Sequence, residues 1–396
     1  MTLGTDLRDN GSMSQEFFGD IPLFREIQKL LAAGEGPINF EIARQVADAL
    51  GTGGTPDQKV DLSLVADFSD VVHSSEVLLA SYTRLPFDEP MRIRVMGRSE
   101  WIGSTLTNWR WLFEPLAVRF TGELAKLGGE APEDEGNPLE AVMSQVGPLM
   151  LGLQIGTLVG HLAKEVVSRY DLIIPRDSDT ALHVIWSNAG SLADEYGFDH
   201  AEFRRWLALH EVSRQMTMTS APWVIRYYRS LLLEVVDALE IDTADIERRL
   251  MELQSKGMDA LEVEVDPQAI PLAKTDRHQK ALQRLHAFIA VFEGYAAHAA
   301  AAVASELVKN RAQIDEGMAR HKASLSQGKA MLASILGLTF DRSLQSAGET
   351  FSAAVLQLKG LGMLNRVWSA PDYLPTMDEI RDPFAWIERV EDDGEQ

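Results

Sequence analysis

Apolar residues recur at helical spacing along almost the whole chain. That rhythm limits what these 396 residues can fold into. Between 58 and 82 the set is Val60, Leu62, Leu64, Val65, Phe68, Val71 and Val72. Arg277 to Val308 is one long Ala-rich stretch, and Gly147 to Val167 is another apolar one. A period near 3.6 places such residues on one face of a helix. β-prone runs are confined to Leu172-Ile173-Ile174 and His183-Val184-Ile185-Trp186, bounded by Pro and Asp. The expected fold is therefore mainly α, with a small β element just before a helix over 199–218. Apolar residues make up 45% of the chain, enough for a sizeable core.

Punctuation divides the chain further. Residues 1–15 read as a polar tail. A helical region spans 16–126, opening with a short amphipathic helix through Phe17, Phe18, Ile21, Phe24 and Leu31. Residues 127–138 (LGGEAPEDEGNP) form the clearest acidic surface loop. A helical core spans 139–388, irregular over 254–275, and 389–396 is an acidic tail. Helix starts are expected at Asn39, Ser99 and Asp199, each able to cap exposed backbone N–H groups. Three Trp within eleven residues, Trp101, Trp109 and Trp111, read as core packing. Gly152, Gly156 and Gly160 recur every four residues, a spacing that lets another backbone come close. The apolar run around them is shorter than the ~20 residues a membrane span needs, so a buried helix is expected there.

Composition removes several function classes. No cysteine is present, which excludes disulfides, Cys-ligated zinc, iron–sulfur clusters and thiol nucleophiles. The 59 acidic against 37 basic residues leave a net charge of −22, which disfavours nucleic acid and anionic membranes as partners. The first twenty residues lack a basic stretch followed by an apolar one, so the expected location is cytoplasmic. No Gly-x-Ser-x-Gly elbow, Walker loop or dinucleotide fingerprint occurs.

One segment carries chemistry. Residues 210–214 read His210-Glu211-Val212-Ser213-Arg214. In the His-Glu-x-x-His signature, two His one helical turn apart bind zinc and the Glu activates a metal-bound water. Here the fifth residue is Arg, and a guanidinium has no lone pair to give a metal. Without other support, such a pair is most often an ordinary helix-surface His and Glu. Other His and Glu residues fall at related spacings. His161 and Glu165 are four apart on the Gly-rich helix. Glu293 and His298 are five apart, ~140° around a helix. His286 is seven before Glu293 and shares its face, so a site of His210, Glu293 and His286 can be drawn.

Several stretches together resemble a known family: GPINFEIARQVA (36–47), RSEWIGSTLTNWRWLFEPLA (98–117), GPLMLGLQIGTLVGHLAKEV (147–166), FRRWLALHEVSRQ (203–215), FEGYAAH (292–298) and APDYLPTMDEIRDPFAW (370–386). They are similar to the bacterial zincin-like family of candidate hydrolases or zinc-dependent metalloproteases, some associated with deazaflavin-coenzyme biosynthesis. The resemblance implies a zincin-like helical fold and zinc held by His210 and Glu293, with Glu211 as general base. This chain departs from the family at Arg214, where a His is expected, and at Ala370, where a His often precedes Pro-Asp.

Four readings follow. In the first, the chain keeps the framework of the family but has a degenerate site, impaired or inactive. A monovalent cation ~4 Å from a divalent metal costs about 8 kcal/mol at an effective dielectric of 20, so Arg214 is expected to act as a metal-replacing cation and zinc to be substoichiometric. In the second, the chain is a non-catalytic binding or scaffold protein that takes a peptide or protein partner. In the third, it is an active zinc peptidase with a non-standard ligand set. In the fourth, the Gly152/Gly156/Gly160 helix docks on a membrane surface or a partner helix.

Overall fold

The computed structural model describes residues 36–57, 60–87, 89–127, 138–176, 181–242, 272–323, 326–338 and 342–393, with a few positions between 244 and 251. The tail at 1–15, the helix expected over 17–31, nearly all of the 127–138 loop and most of 254–275 lie outside the described residues.

The architecture is helical. In chain order the elements are α1 (Phe40–Thr52), α2 (Leu62–Thr83), β1 (Ile93–Met96), α3 (Arg98–Asn108), α4 (Arg110–Leu127), α5 (Pro138–Glu165) and β2 (Leu182–Ile185). There follow α6 (Trp186–Tyr196), α7 (His200–Thr219), α8 (Val224–Asp237), α9 (Asp276–Val303), α10 (Arg311–Ala323), α11 (Gln327–Leu336) and α12 (Arg342–Lys359). Three shorter helices close the chain: α13 (Leu361–Asn365), α14 (Met377–Arg381) and α15 (Pro383–Asp393).

Local chemistry explains most boundaries. Asn39 Oδ1 accepts from Ile42 N at 3.0 Å and starts α1. Asp199 does the same for α7, accepting from Ala201 N and Glu202 N. The expected cap at Ser99 is corrected. Helix α3 is capped two residues earlier, at Gly97, and its first N–H groups are satisfied by Asp57 from a distant loop: Arg98 N to Oδ1 at 2.9 Å and Ser99 N to Oδ2 at 3.1 Å. A tertiary carboxylate has replaced the local hydroxyl. At the C-terminus α15 runs to Asp393, so residues 389–393 are helical rather than tail. Trp386, Ile387 and Val390 are buried there and anchor the turn against the core.

The β element is real but differs in its strands. The sheet has two parallel strands, with Ile93 opposite Leu182 and Met96 opposite Ile185. The run at 183–186 supplies β2, but Leu172–Ile174 is not a strand. There Ile174 N bonds back to Leu172 O at 2.8 Å, a tight turn, and Pro175 follows. The partner strand is instead Ile93–Met96, whose alternation was masked by Arg92 and Arg94.

The glycine stripe has an intramolecular explanation. A Cβ on Gly152 would lie 2.5 Å from Asn39 O; on Gly156, 2.6 Å from Ala43 O; on Gly160, 2.8 Å from Leu50 Cβ. The stripe is the groove in which α1 lies on α5, so that face is occupied by the chain itself. Helices over Val146–Glu165 and Asp276–Glu306 are long and apolar enough to cross a membrane by length and composition; 50% and 78% of their most apolar windows are buried.

One core runs through both halves of the chain. It joins Ile38, Trp101, Trp109, Leu158, Phe288 and Trp386, so the regions before and after the acidic loop share it. Trp101 and Trp109 pack edge to face at 6.2 Å, as core residues. A second cluster, with Phe203, Trp206, Leu207 and Val212 of α7 against Phe68, Val72, Ala300 and Val303, fixes α7 between α2 and α9. That packing turns Glu211 and Arg214 inward.

Candidate functional site

Helix α7 carries the motif into the interior. Its moderate amphipathicity is misleading, because the whole segment from Glu211 to Met218 is buried. Helix α9 crosses it and brings Glu293 alongside. Gly294 allows the approach of α12: a Cβ there would meet Gly348 C at 2.0 Å, and one on Gly348 would meet Ala290 O at 1.7 Å.

Arg214 lies between the two carboxylates. Its Nε donates to Glu293 Oε1 at 2.8 Å and its Nη2 to Glu293 Oε2 at 2.9 Å, a two-point grip. Its Nη1 donates to Glu211 Oε1 at 3.3 Å. The other oxygen, Glu211 Oε2, accepts from the backbone N–H of Tyr170 at 3.0 Å. Side-chain exposure is 7% for Arg214, 1% for Glu211 and 7% for Glu293, so all three charges are out of water. Tyr170 is anchored in turn by its hydroxyl, which donates to Gln215 Oε1 at 2.6 Å.

The two acids respond differently. Burial pushes Glu211 up to about 7, and Asp171 adds to the rise. Arg214 and the Tyr170 N–H oppose it without prevailing. Burial also acts on Glu293, but Arg214, Lys322 and the paired hydrogen bonds outweigh it and hold its carboxyl below the usual range. For Arg214 the carboxylates overcome burial, so the guanidinium stays charged. His210 is held well below the usual imidazole range by desolvation and by the charges of Arg214, Lys322 and Arg311. It is neutral at pH 7, with its ring 4.1 Å from that of Trp206.

The sequence-derived candidates separate in space. His210, Arg214 and His298 line a cavity of about 330 Å3. Glu293 lines an adjoining cavity of about 100 Å3. His286 does not join them: it lines a different groove beside Tyr227, Phe288 and Pro371. Seven residues along a helix is ~10.5 Å of rise, so sharing a face with Glu293 does not mean sharing a site. His161 and Glu165, on α5, line neither cavity. Among the described residues, no group of three or more His, Asp or Glu is arranged to hold a metal. Sequence reasoning missed Tyr170, Asp171, Lys322 and Arg342. They lie in a loop and at helix ends far from the motif in sequence, with no local signature.

Comparison with known proteins defines the class. The family description "zincin-like metallopeptidase" matches residues 38–387. The chain belongs to that family. A crystal structure from Chloroflexus aurantiacus, described as that of "a putative hydrolase with a novel fold", is similar with a TM-score of 0.65 at 26% identity, covering 89% of this chain and 99% of that one. No curated protein matches the sequence.

Proposed function

We propose that this chain is a zincin-like protein whose metal has been replaced by an internal guanidinium, and that its cleft binds a ligand and does not hydrolyse one. The two-point contact between Arg214 and Glu293 carries this reading. Zinc bonds carboxylate oxygens at ~2.0–2.2 Å, whereas both Glu293 oxygens already sit under guanidinium nitrogens at 2.8 and 2.9 Å. A dication on the same oxygens would stand against a permanent cation. His210 remains as a neutral imidazole, but a single imidazole falls short of the three protein ligands of a catalytic zinc site. The residues present do not fit the metal, and no hydrolytic step is assigned to Glu211.

The substitution makes electrostatic sense. Two buried carboxylates facing one another repel unless a cation lies between them. Zinc would supply that charge in a complete motif; Arg214 supplies it here. The test is elemental analysis of protein purified without chelator, together with zinc titration. The expected result is zinc well below one per chain and no peptidase turnover on casein. Zinc near one per chain, lost on His210→Ala, would overturn the reading.

A further inference from the structure

Unpaired cations gather where the two cavities meet. Lys322 and Arg342 line both, and Lys329 lines the smaller. Among the described residues none of the three makes an ion pair. Among the described residues the Lys322 ammonium hydrogen-bonds the Gln345 amide oxygen, at 3.4 Å. Their neighbours are accounted for differently. Arg311 is neutralised by Asp315 at 2.9 Å, Arg214 by Glu293, and Glu349 accepts from Gln345 Nε2 at 2.7 Å. In a chain of net charge −22, three cations without a salt-bridge contact around one concavity run against composition; Lys322 feels Glu293 and Asp171 only at longer range. Carboxylates line the same cavities, but Asp171 accepts from Val167 N at 2.6 Å and Glu293 and Asp315 are gripped by Arg214 and Arg311, so the three cations are the groups left to attract an anion.

The helix ends add to this field. Arg342 is the first residue of α12, an 18-residue helix, and Lys329 lies in the first turn of α11, so both project from the positive ends of helix dipoles. The walls suit an organic body. The Trp206 and His210 rings, in tilted contact, line the larger cavity, and Ile173, Ile289 and Leu344 line the smaller. A volume of about 330 Å3 suits a small molecule.

We propose that this junction binds a small oxyanion-bearing molecule, a carboxylate or a phosphate ester, held by Lys322 and Arg342 with Lys329 from the smaller cavity. Paired cationic donors are the chemistry that recognises such groups. The proposal rests on the preceding reading in one respect: a ligand, and not a metal, occupies the cleft.

Calorimetric titration of the full chain at low ionic strength tests it, with inorganic phosphate, glycerol 3-phosphate and citrate as probes. At least one probe is expected to bind, more weakly as sodium chloride is added. Binding by the phosphates alone assigns a phosphate ester; by citrate alone, a carboxylate. Arg342→Gln and Lys322→Met should each weaken binding roughly tenfold or more. Arg44→Gln, an exposed residue outside both cavities, should leave it unchanged. No binding by any probe up to ~10 mM would overturn the proposal, as would undiminished binding in the variants. Because Arg342 is exposed, Arg342→Gln decides the matter even if Lys322→Met fails to fold. Zinc measured in the same preparations separates the two ideas. Stoichiometric zinc sinks the preceding reading, whereas zinc-free protein that ignores all three anions sinks this one.

Discussion

Arg214→Ala is the most informative single change. Among the described residues it deletes the one cation that touches both buried carboxylates, and it leaves the Tyr170 N–H on Glu211 in place. At pH 7.5 Glu293 loses two charge-assisted hydrogen bonds, at 2.8 and 2.9 Å, and Glu211 loses one at 3.3 Å. With 7% and 1% exposure, neither carboxylate can recover those bonds from water. Breaking a buried pair by removing one partner costs about 3–5 kcal/mol. The lower half of that range is expected, because Glu211, pushed up to about 7, can take up a proton and shed its charge. Glu293 must then do the same. The cost should therefore shrink at low pH: urea unfolding at pH 5 should show a smaller difference between variant and parent than at pH 8. A difference below ~1 kcal/mol at pH 8, the level of a surface pair, would refute the reasoning. So would a cost that does not depend on pH.

Three further outcomes follow from the same geometry. Glu211 has a folded pKa above its unfolded value of 4.5, so the folded state holds the extra proton between pH 4.5 and about 7. Its contribution to stability is thus full below pH 4.5 and declines as pH rises through 7, a slope in unfolding free energy that Glu211→Gln should flatten. Arg214→His, which frees Glu293 and places an imidazole one turn from His210, should raise zinc affinity measurably by titration; no gain would mean that these side chains do not converge on one metal position. Gly348→Ala should destabilise by about 1–3 kcal/mol, since the new methyl would fall 1.7 Å from Ala290 O and force α12 off α9. Denaturation at the parent's midpoint would show it, and an unchanged midpoint would sink that packing argument.

What sequence by itself determined was local. The period of its apolar residues sets the helices, because burying one stripe of a helix requires that spacing whatever the partner. Asn39 and Asp199 announce their helix starts because a capping side chain reaches only its own next turn. That residue 214 cannot ligate zinc is likewise a property of one side chain. Contacts between distant segments were not legible. The Asp57 cap on α3, the partner strand at 93–96 and the exclusion of His286 from the site all depend on how helices cross. Glu293 entered through family resemblance, since 79 residues separate it from Arg214 and no spacing rule links them. Lys322, Lys329 and Arg342 sit at the ends of three different helices, in stretches with no local motif. Only tertiary packing turns those ends toward one cavity, and charge takes on meaning there from its neighbours and its burial.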